Sequence, residues 1–203
     1  MSAIAVNSPS SLLVAQITDT HLYADAQKEL LGLQTSCSLQ AVIDQVNALE
    51  RRPDLLLLTG DLSQDGTAKS YELLQEMLLP LAIPAYWVPG NHDCPKTMAR
   101  VLMRSPISPQ KSFHAAPWQI VLLDSSVFGC VHGCLTAASL AWLDQELSQS
   151  QGAPTLIAFH HPPFLSGSDW MNDLGLLNAE DFFEVCDRHH QVKLVLFGHI
   201  HQN

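Results

Sequence analysis

The stretch Asp54-Leu55-Leu56-Leu57-Leu58-Thr59-Gly60-Asp61-Leu62 decides the fold class. Four consecutive leucines leave no polar face, which is how a strand reads when it lies in a largely buried sheet with helices packed on it. Gly60 and Asp61 then end the run. Working outward, similar short runs rich in Leu, Val and Ile predict strands at Leu12–Ile17, Ala85–Val88, Gln119–Asp124, Thr155–Phe159 and Lys193–Phe197. Between them, Leu39, Val42, Ile43, Val46 and Leu49 fall at helical spacing, and Leu140, Leu143 and Leu147 repeat the stripe. Thr136 and Asn178 are expected N-caps, for helices over Ala137–Ser150 and Ala179–His189. The pattern is α/β, with residues 1–11 as a loose leader and 12–203 as one domain.

Composition bounds the function. The chain has 203 residues, 47% hydrophobic and 15% charged, which describes a globular protein with a core rather than a disordered chain or a coiled coil. Its net charge of −10 argues against a nucleic-acid partner held by counterion release. The N-terminal stretch carries no signal-peptide pattern, and no run of about 18 apolar residues predicts a membrane span. Five cysteines, an odd number in a chain of this size, imply no disulfide framework, so a reducing compartment, the cytoplasm, is expected. Ten histidines are roughly twice the ordinary share.

Polar clusters stand where predicted strands end: Asp19-Thr20-His21, Gly60-Asp61-Leu62, Gly90-Asn91-His92-Asp93, His160-His161-Pro162-Pro163 and Gly198-His199-Ile200-His201. Ligand sites in helix-covered sheets form outside the carboxyl ends of strands, so these clusters are placed to converge. Residues two apart in extended chain point the same way, so Asp19 with His21, and His199 with His201, can each present two ligands to one site. Gly60, Gly90 and Gly198 let the backbone turn sharply. Carboxylate, imidazole and amide donors without thiolate favour Mn, Fe or Zn ions over a structural zinc. Seven candidates, Asp19, His21, Asp61, Asn91, His160, His199 and His201, are too many for one tetrahedral ion and suit two, about 3.5–4 Å apart, with one carboxylate bridging. Such a pair clamps the oxygens of a displacement at phosphorus and draws an anionic ester to an acidic protein.

In order, these motifs resemble the calcineurin-like metallophosphoesterase signature. The wording Gln16-Ile17-Thr18-Asp19-Thr20-His21-Leu22, Gly60-Asp61-Leu62-Ser63-Gln64-Asp65, Pro89-Gly90-Asn91-His92-Asp93 and Gly198-His199-Ile200-His201-Gln202 is most similar to the bacterial class III cyclic-AMP phosphodiesterases. The resemblance implies a four-layer α/β/β/α sandwich, with strands that complete the second sheet in the family absent after Asn203, and hence less firmly held His199 and His201. It implies that Asp19, His21, Asp61 and His201 hold one metal and Asp61, Asn91, His160 and His199 the other. A hydroxide shared by the metals would open 3′,5′-cyclic AMP to 5′-AMP, with His92, Asp61 and Asn91 as the catalytic set. His21, Asp61, Asn91, His92 and His201 would contact substrate, His92 facing the phosphate as a donor and not as a ligand. Asp65 and Asp93 are candidates to orient the histidines.

Other small diesters, such as glycerophosphodiesters, satisfy the same motifs, as does a metal-binding chain with little turnover. Self-association is left open. His161 reads equally as a substrate contact or a backbone anchor. His189 reads as a half-buried packing residue, His190 as a solvated cation and His114 as surface. Cys130 and Cys134 read as free thiols beside a substrate loop, Ser126 to Gly133, in which Phe128 and His132 would line the nucleotide.

Overall fold

The computed structural model describes residues 11–115, 117–164 and 174–201. The expected leader before Ser11 and the terminal Gln202 and Asn203 lie outside them. Strands β1 (Val14–Ile17), β4 (Leu55–Thr59), β5 (Ala85–Val88) and β6 (Ile107–Ser108) form a parallel sheet in the order β1-β4-β5-β6. A second sheet has the order β10-β9-β8-β7, from Val192–Leu196, Thr155–Ala158, Trp118–Leu122 and Ser112–Ala115. It is parallel except for the antiparallel β7–β8 pair. A hairpin of β2 (Glu29–Leu30) and β3 (Leu33–Gln34) precedes the first helix.

The leucine run explains the layering. Leu56 and Leu58 face a core shared with helices α1 (Thr35–Asn47), α2 (Ala68–Leu78) and α3 (Pro95–Val101), where they meet Ile43, Leu74 and Met98. Leu55 and Leu57, one residue out of phase, face the other sheet and pack with Val88, Ile120, Leu122, Leu156 and Ala158. The alternation is the period of two of a strand, and because both faces are apolar the strand is buried on both. In the second sheet Val121, Ile157 and Phe159 turn the other way, onto α4 (Ala137–Gln149) and α5 (Ala179–Asp187) through Leu143, Leu147, Phe182 and Val185. Helices, sheet, sheet and helices therefore stack in four layers, the expected sandwich.

The six strand expectations hold to within one or two residues. The pair β2–β3, the short β6, the edge strand β7 and helices α2 and α3 were not read from the sequence. Helix α1 stops at Asn47, so Leu49 leaves the stripe and Val42 is exposed as well. Thr136 caps α4 by accepting from Ser139 N at 3.0 Å. Asn178 stands before α5 but makes no cap: its Oδ1 accepts from Leu135 N at 2.9 Å and its Nδ2 donates to Leu135 O at 2.8 Å, tying the helix to the preceding loop. His189 is half-buried and also pairs with Asp144 at 2.8 Å, while His190 and His114 are exposed.

Leu57 sits between the sheets with no exposed surface. Leu57→Ala is expected to cost about 2–5 kcal/mol through lost burial and a cavity. Denaturant unfolding checks this, the midpoint falling with the slope unchanged.

Candidate metal centre at the strand ends

Each polar cluster leaves the carboxyl end of a strand, three from the first sheet (β1, β4, β5) and two from the second (β9, β10). The two rims are fastened together. His160 Nδ1 donates to Thr59 O at 2.8 Å and Gln16 Nε2 to Phe197 O at 2.9 Å, while Gly198 N, within the second rim, donates to His160 O at 2.9 Å. His199 N donates to the Asp19 carboxylate at 3.1–3.2 Å. The site thus spans both sheets, and neither half makes it alone.

The backbone departs from the expected extended geometry. Asp19 (φ 54°), His21 (45°), Asp61 (49°), His199 (75°) and His201 (51°) all lie in the left-handed region. The pairs do converge, but by turning the chain rather than by strand alternation. Gly60 (φ 93°) fits its expected role, and a Cβ there would also lie 2.5 Å from His160 Nδ1. Gly90 and Gly198 have no positive φ; they are clearances, since a Cβ would overlap the Asp61 carboxylate at Gly90 and Thr18 Oγ1 at Gly198.

Asp61 is the centre. Its side chain is 3% exposed, its Oδ1 accepts from His92 N at 2.9 Å, and its Oδ2 lies 3.3 Å from His160 Nε2 and 3.9 Å from His21 Nε2. Burial pushes this carboxyl up, but the hydrogen bond and charge of His160, then His92 N and His21, outweigh it and hold it well below the usual carboxylate range. Burial likewise works against charging His160, yet the Asp61 carboxylate raises it overall. Burial lowers His21, and lowers His199 together with the charge of His160.

The hydrogen-bond partners assign the lone pairs. A carbonyl oxygen only accepts, so His160 Nδ1 carries a hydrogen toward Thr59 O, and His21 Nδ1 does the same toward Gln64 Oε1 at 2.8 Å. The Nε2 atoms are left turned inward, His160 toward Asp61 Oδ2 and His199 Nδ1 (3.2 Å), His21 toward His201 Nε2 (3.1 Å). His201 Nε2 also stands 3.2 Å from Asp19 Oδ1. Electron pairs so close together need a positive charge between them. Two further atoms point the same way: Asn91 Oδ1 and His199 Nε2 are buried with no hydrogen-bond partner. Nitrogen and oxygen donors converge within 4.8 Å in the sets Asp19, His21, His201 and Asp19, Asp61, His160, which share Asp19, and in the set His21, Asp61, His92, which shares a member with each. The donor set fits divalent cations.

His161 resolves differently from its neighbour. It forms a trio with His160 and His199, but its Nε2 donates to Val131 O at 3.1 Å and its Nδ1 accepts from Ser125 Oγ at 2.8 Å. Burial and the charges of His160 and His199 push it down to about 3, so it stays neutral with no lone pair to offer. It is the backbone anchor of the 125–134 loop. Asp65 and Asp93 orient no histidine. Asp93 accepts from Gly90 N (2.9 Å), Ser63 N (3.0 Å), Leu62 N (3.1 Å) and Tyr71 OH (2.9 Å), fastening the two loops beside Asp61. Burial, with the Asp61 charge, nonetheless pushes it up to about 6. Asp65 is spent on Ala24 N and Thr67. The groups that do orient histidines are Thr59 O, which no side-chain pattern announces, and Gln64, which stands inside the Gly60–Asp65 motif.

His92 is exposed at a cleft of about 610 Å³ that it lines with Asn91, Lys96, Asp124, Ser126 and Phe128. Phe128 is fully exposed there at 105%, whereas His132 is not among the described lining residues. All five cysteines are free. Among the described residues no helix is long and apolar enough to cross a membrane.

A family model described as calcineurin-like phosphoesterase matches residues 12–203. The chain is 49% identical over 97% of its length to a 3′,5′-cyclic-nucleotide phosphodiesterase (alr5338) of Nostoc sp., covering 74% of that protein. It is 40% identical over 93% of its length to the 3′,5′-cyclic adenosine monophosphate phosphodiesterase CpdA of Escherichia coli K12, covering 69% of it. A dimetal phosphatase from Danio rerio superposes with a TM-score of 0.72 at 18% identity, over 94% of this chain and 82% of that one, a likeness of fold.

His161→Ala is expected to leave the metal content of the protein unchanged while costing about 2–4 kcal/mol, because Ser125 Oγ and Val131 O lose their partner in a buried place. Metal analysis beside denaturant unfolding checks both parts, and a lost ion would make His161 a ligand.

Proposed function

This chain belongs to the calcineurin-like phosphoesterases, a metal-dependent hydrolase family, and from that premise we propose that it hydrolyses 3′,5′-cyclic AMP to 5′-AMP at the rim joining its two sheets. The observation that carries the reading is the pair of orphaned buried atoms, Asn91 Oδ1 and His199 Nε2, in the cluster of strand-end residues around the buried Asp61. One ion is assigned to Asp19, His21, Asp61 and His201, and the other to Asp61, Asn91, His160 and His199. A donor set of oxygen and nitrogen favours iron, manganese or zinc. The chemistry such ions supply when bound is a water acidic enough to attack phosphorus at neutral pH and a positive field for the phosphate.

The chain's own groups do the rest. Asp61 bridges the two halves and keeps its charge, while Thr59 O and Gln64 hold the His160 and His21 rings with Nε2 inward. His92 touches no ion in this scheme. It faces the phosphate, where its N–H stabilises a non-bridging oxygen or protonates the departing 3′ oxygen. His21, Asp61, Asn91 and His201 complete the phosphate's surroundings. The cleft beside Asn91 and His92 takes the nucleoside, and Phe128 offers the purine an apolar face. The cyclic-nucleotide names of relatives sharing 49% and 40% of aligned residues support the substrate over other diesters. Five free cysteines support a reducing, cytoplasmic setting.

Turnover of cyclic AMP, cyclic GMP and bis(p-nitrophenyl) phosphate, measured with metal content, tests the reading. About two divalent ions per chain are expected, and a chelator should abolish hydrolysis. Full activity in metal-free protein overturns it, and equal rates on the cyclic nucleotide and an alkyl diester overturn the substrate. Asp61→Ala is expected to empty both metal sites and Asp19→Ala chiefly the first, as metal analysis of the two variants will show.

His92→Ala is expected to keep both ions and lower kcat on cyclic AMP by about 10²–10⁴. The loss should be much smaller on a nitrophenyl diester, whose leaving group needs little protonation. Equal losses would assign His92 to the non-bridging oxygens instead.

A further inference from the structure

We propose that Gln64 is a positioning residue whose single side-chain amide sets the ring tautomers of both His21 and His92. Its own placement is firm: Gln64 N donates to Leu22 O at 2.9 Å, next to a bridge between Leu22 and Ser63, so the residue is stitched to the loop that carries His21. The half-buried side chain then reaches two imidazoles. His21 Nδ1 lies 2.8 Å from Gln64 Oε1, and His92 Nδ1 lies 3.1 Å from Gln64 Nε2. The rings stand edge to face with centroids 5.1 Å apart.

An amide oxygen only accepts and an amide nitrogen only donates. His21 Nδ1 must therefore carry its hydrogen, which leaves Nε2 as a lone pair facing His201 Nε2 and Asp61 Oδ2. His92 Nδ1 must be the acceptor, which puts the hydrogen on Nε2. Turning the amide over would reverse both rings at once, aiming an N–H from His21 into the cluster and removing the N–H from the free nitrogen of His92. One residue thus prepares a metal ligand and a neutral proton donor in opposite tautomers, and His92 need not be charged to donate. The assignment of tautomers stands on the hydrogen bonds alone. Its consequence for turnover rests on the proposed function, which puts His92 against the phosphate.

Two same-length variants separate these roles. The carboxylate of Gln64→Glu accepts from both rings, keeping His21 and forcing His92 to the Nδ1–H form; Gln64→Met offers neither bond. Nitrogen-resolved NMR of the metal-free full chain, at mildly alkaline pH where neutral rings are compared, is expected to show His21 as Nδ1–H and His92 as Nε2–H, with only His92 switched in Gln64→Glu. At the same pH, Gln64→Glu should retain both ions, lose about 10–100-fold in kcat on cyclic AMP and stay within about threefold on bis(p-nitrophenyl) phosphate. Gln64→Met should instead weaken metal binding by about 10–100-fold. Wild-type His92 found as Nδ1–H overturns the proposal, and this needs no variant to fold. So does an unswitched His92, or equal losses on both esters, in Gln64→Glu. A chain that shows the two tautomers but hydrolyses no diester loses the phosphodiesterase reading and keeps this one.

Discussion

A carboxylate buried as deeply as Asp61 cannot stay ionised without positive charge or donated hydrogen bonds around it, and the site is organised by that need. Only one backbone N–H, from His92, reaches it directly. The other neighbours are imidazole nitrogens whose protons are committed elsewhere, His160 to Thr59 O and His21 to Gln64. The inward nitrogen of His160 answers that charge when the ring is protonated, and a cation answers it when that nitrogen is a lone pair. Gly90 follows from the same constraint, since any side chain there would occupy the place of the carboxylate.

The sheets explain how such a cluster can be held. Parallel strands deliver their carboxyl ends to one rim, and the two rims here are fastened to each other by His160, His199 and Gln16. Five of the eight non-glycine residues with positive φ among the described residues are site residues. Each such conformation costs of order 1 kcal/mol. Strain of that kind persists only where its surroundings over-determine it: Asp93 clamps the loops after β4 and β5 through three backbone N–H groups, and Asp19 N, His21 N and His199 N are tied to Gly60 O, Asp61 O and the Asp19 carboxylate. The apolar core and the polar rim are therefore coupled: the leucine run from Leu55 to Leu58 is what allows Asp61, three residues on, to sit in a conformation it would otherwise avoid.

Much of this was legible in the sequence because a doubly buried strand has no polar phase and its end is marked by a glycine and a carboxylate. The six strands read from apolar runs are those in the middle of each sheet or with a covered face. The pair Glu29–Leu30 with Leu33–Gln34 and the strand Ile107–Ser108 were not legible, being two residues long and too short to show a period, and the edge strand Ser112–Ala115 was not read because Phe113 is its one buried residue. The residues that gather at the rim were readable and their backbone was not. Nothing in Asp19-Thr20-His21 announces a left-handed turn, because the turn is imposed by hydrogen bonds from Asp19 N to Gly60 O and from His21 N to Asp61 O, residues about forty positions away. Asn178 shows the same limit in small: the cap position was right, and tertiary contact with Leu135 took its side chain for another use.

The three histidines His92, His160 and His161 show why residue type alone could not assign roles. Two are adjacent in sequence and equally buried, yet His160 has one nitrogen satisfied and the other turned to a carboxylate, while His161 has both satisfied by neutral partners. Burial disfavours the charged form of both, and the Asp61 carboxylate reverses that for His160 alone, leaving a ring that attracts positive charge beside a ring held neutral. His92 is exposed at the cleft, with Nδ1 anchored to Gln64. A ligand needs an inward lone pair, an anchor needs none and a donor needs a free N–H. In each ring the partner of the second nitrogen decides among these, and that partner is a backbone carbonyl, a serine hydroxyl or an amide contributed by a different strand end.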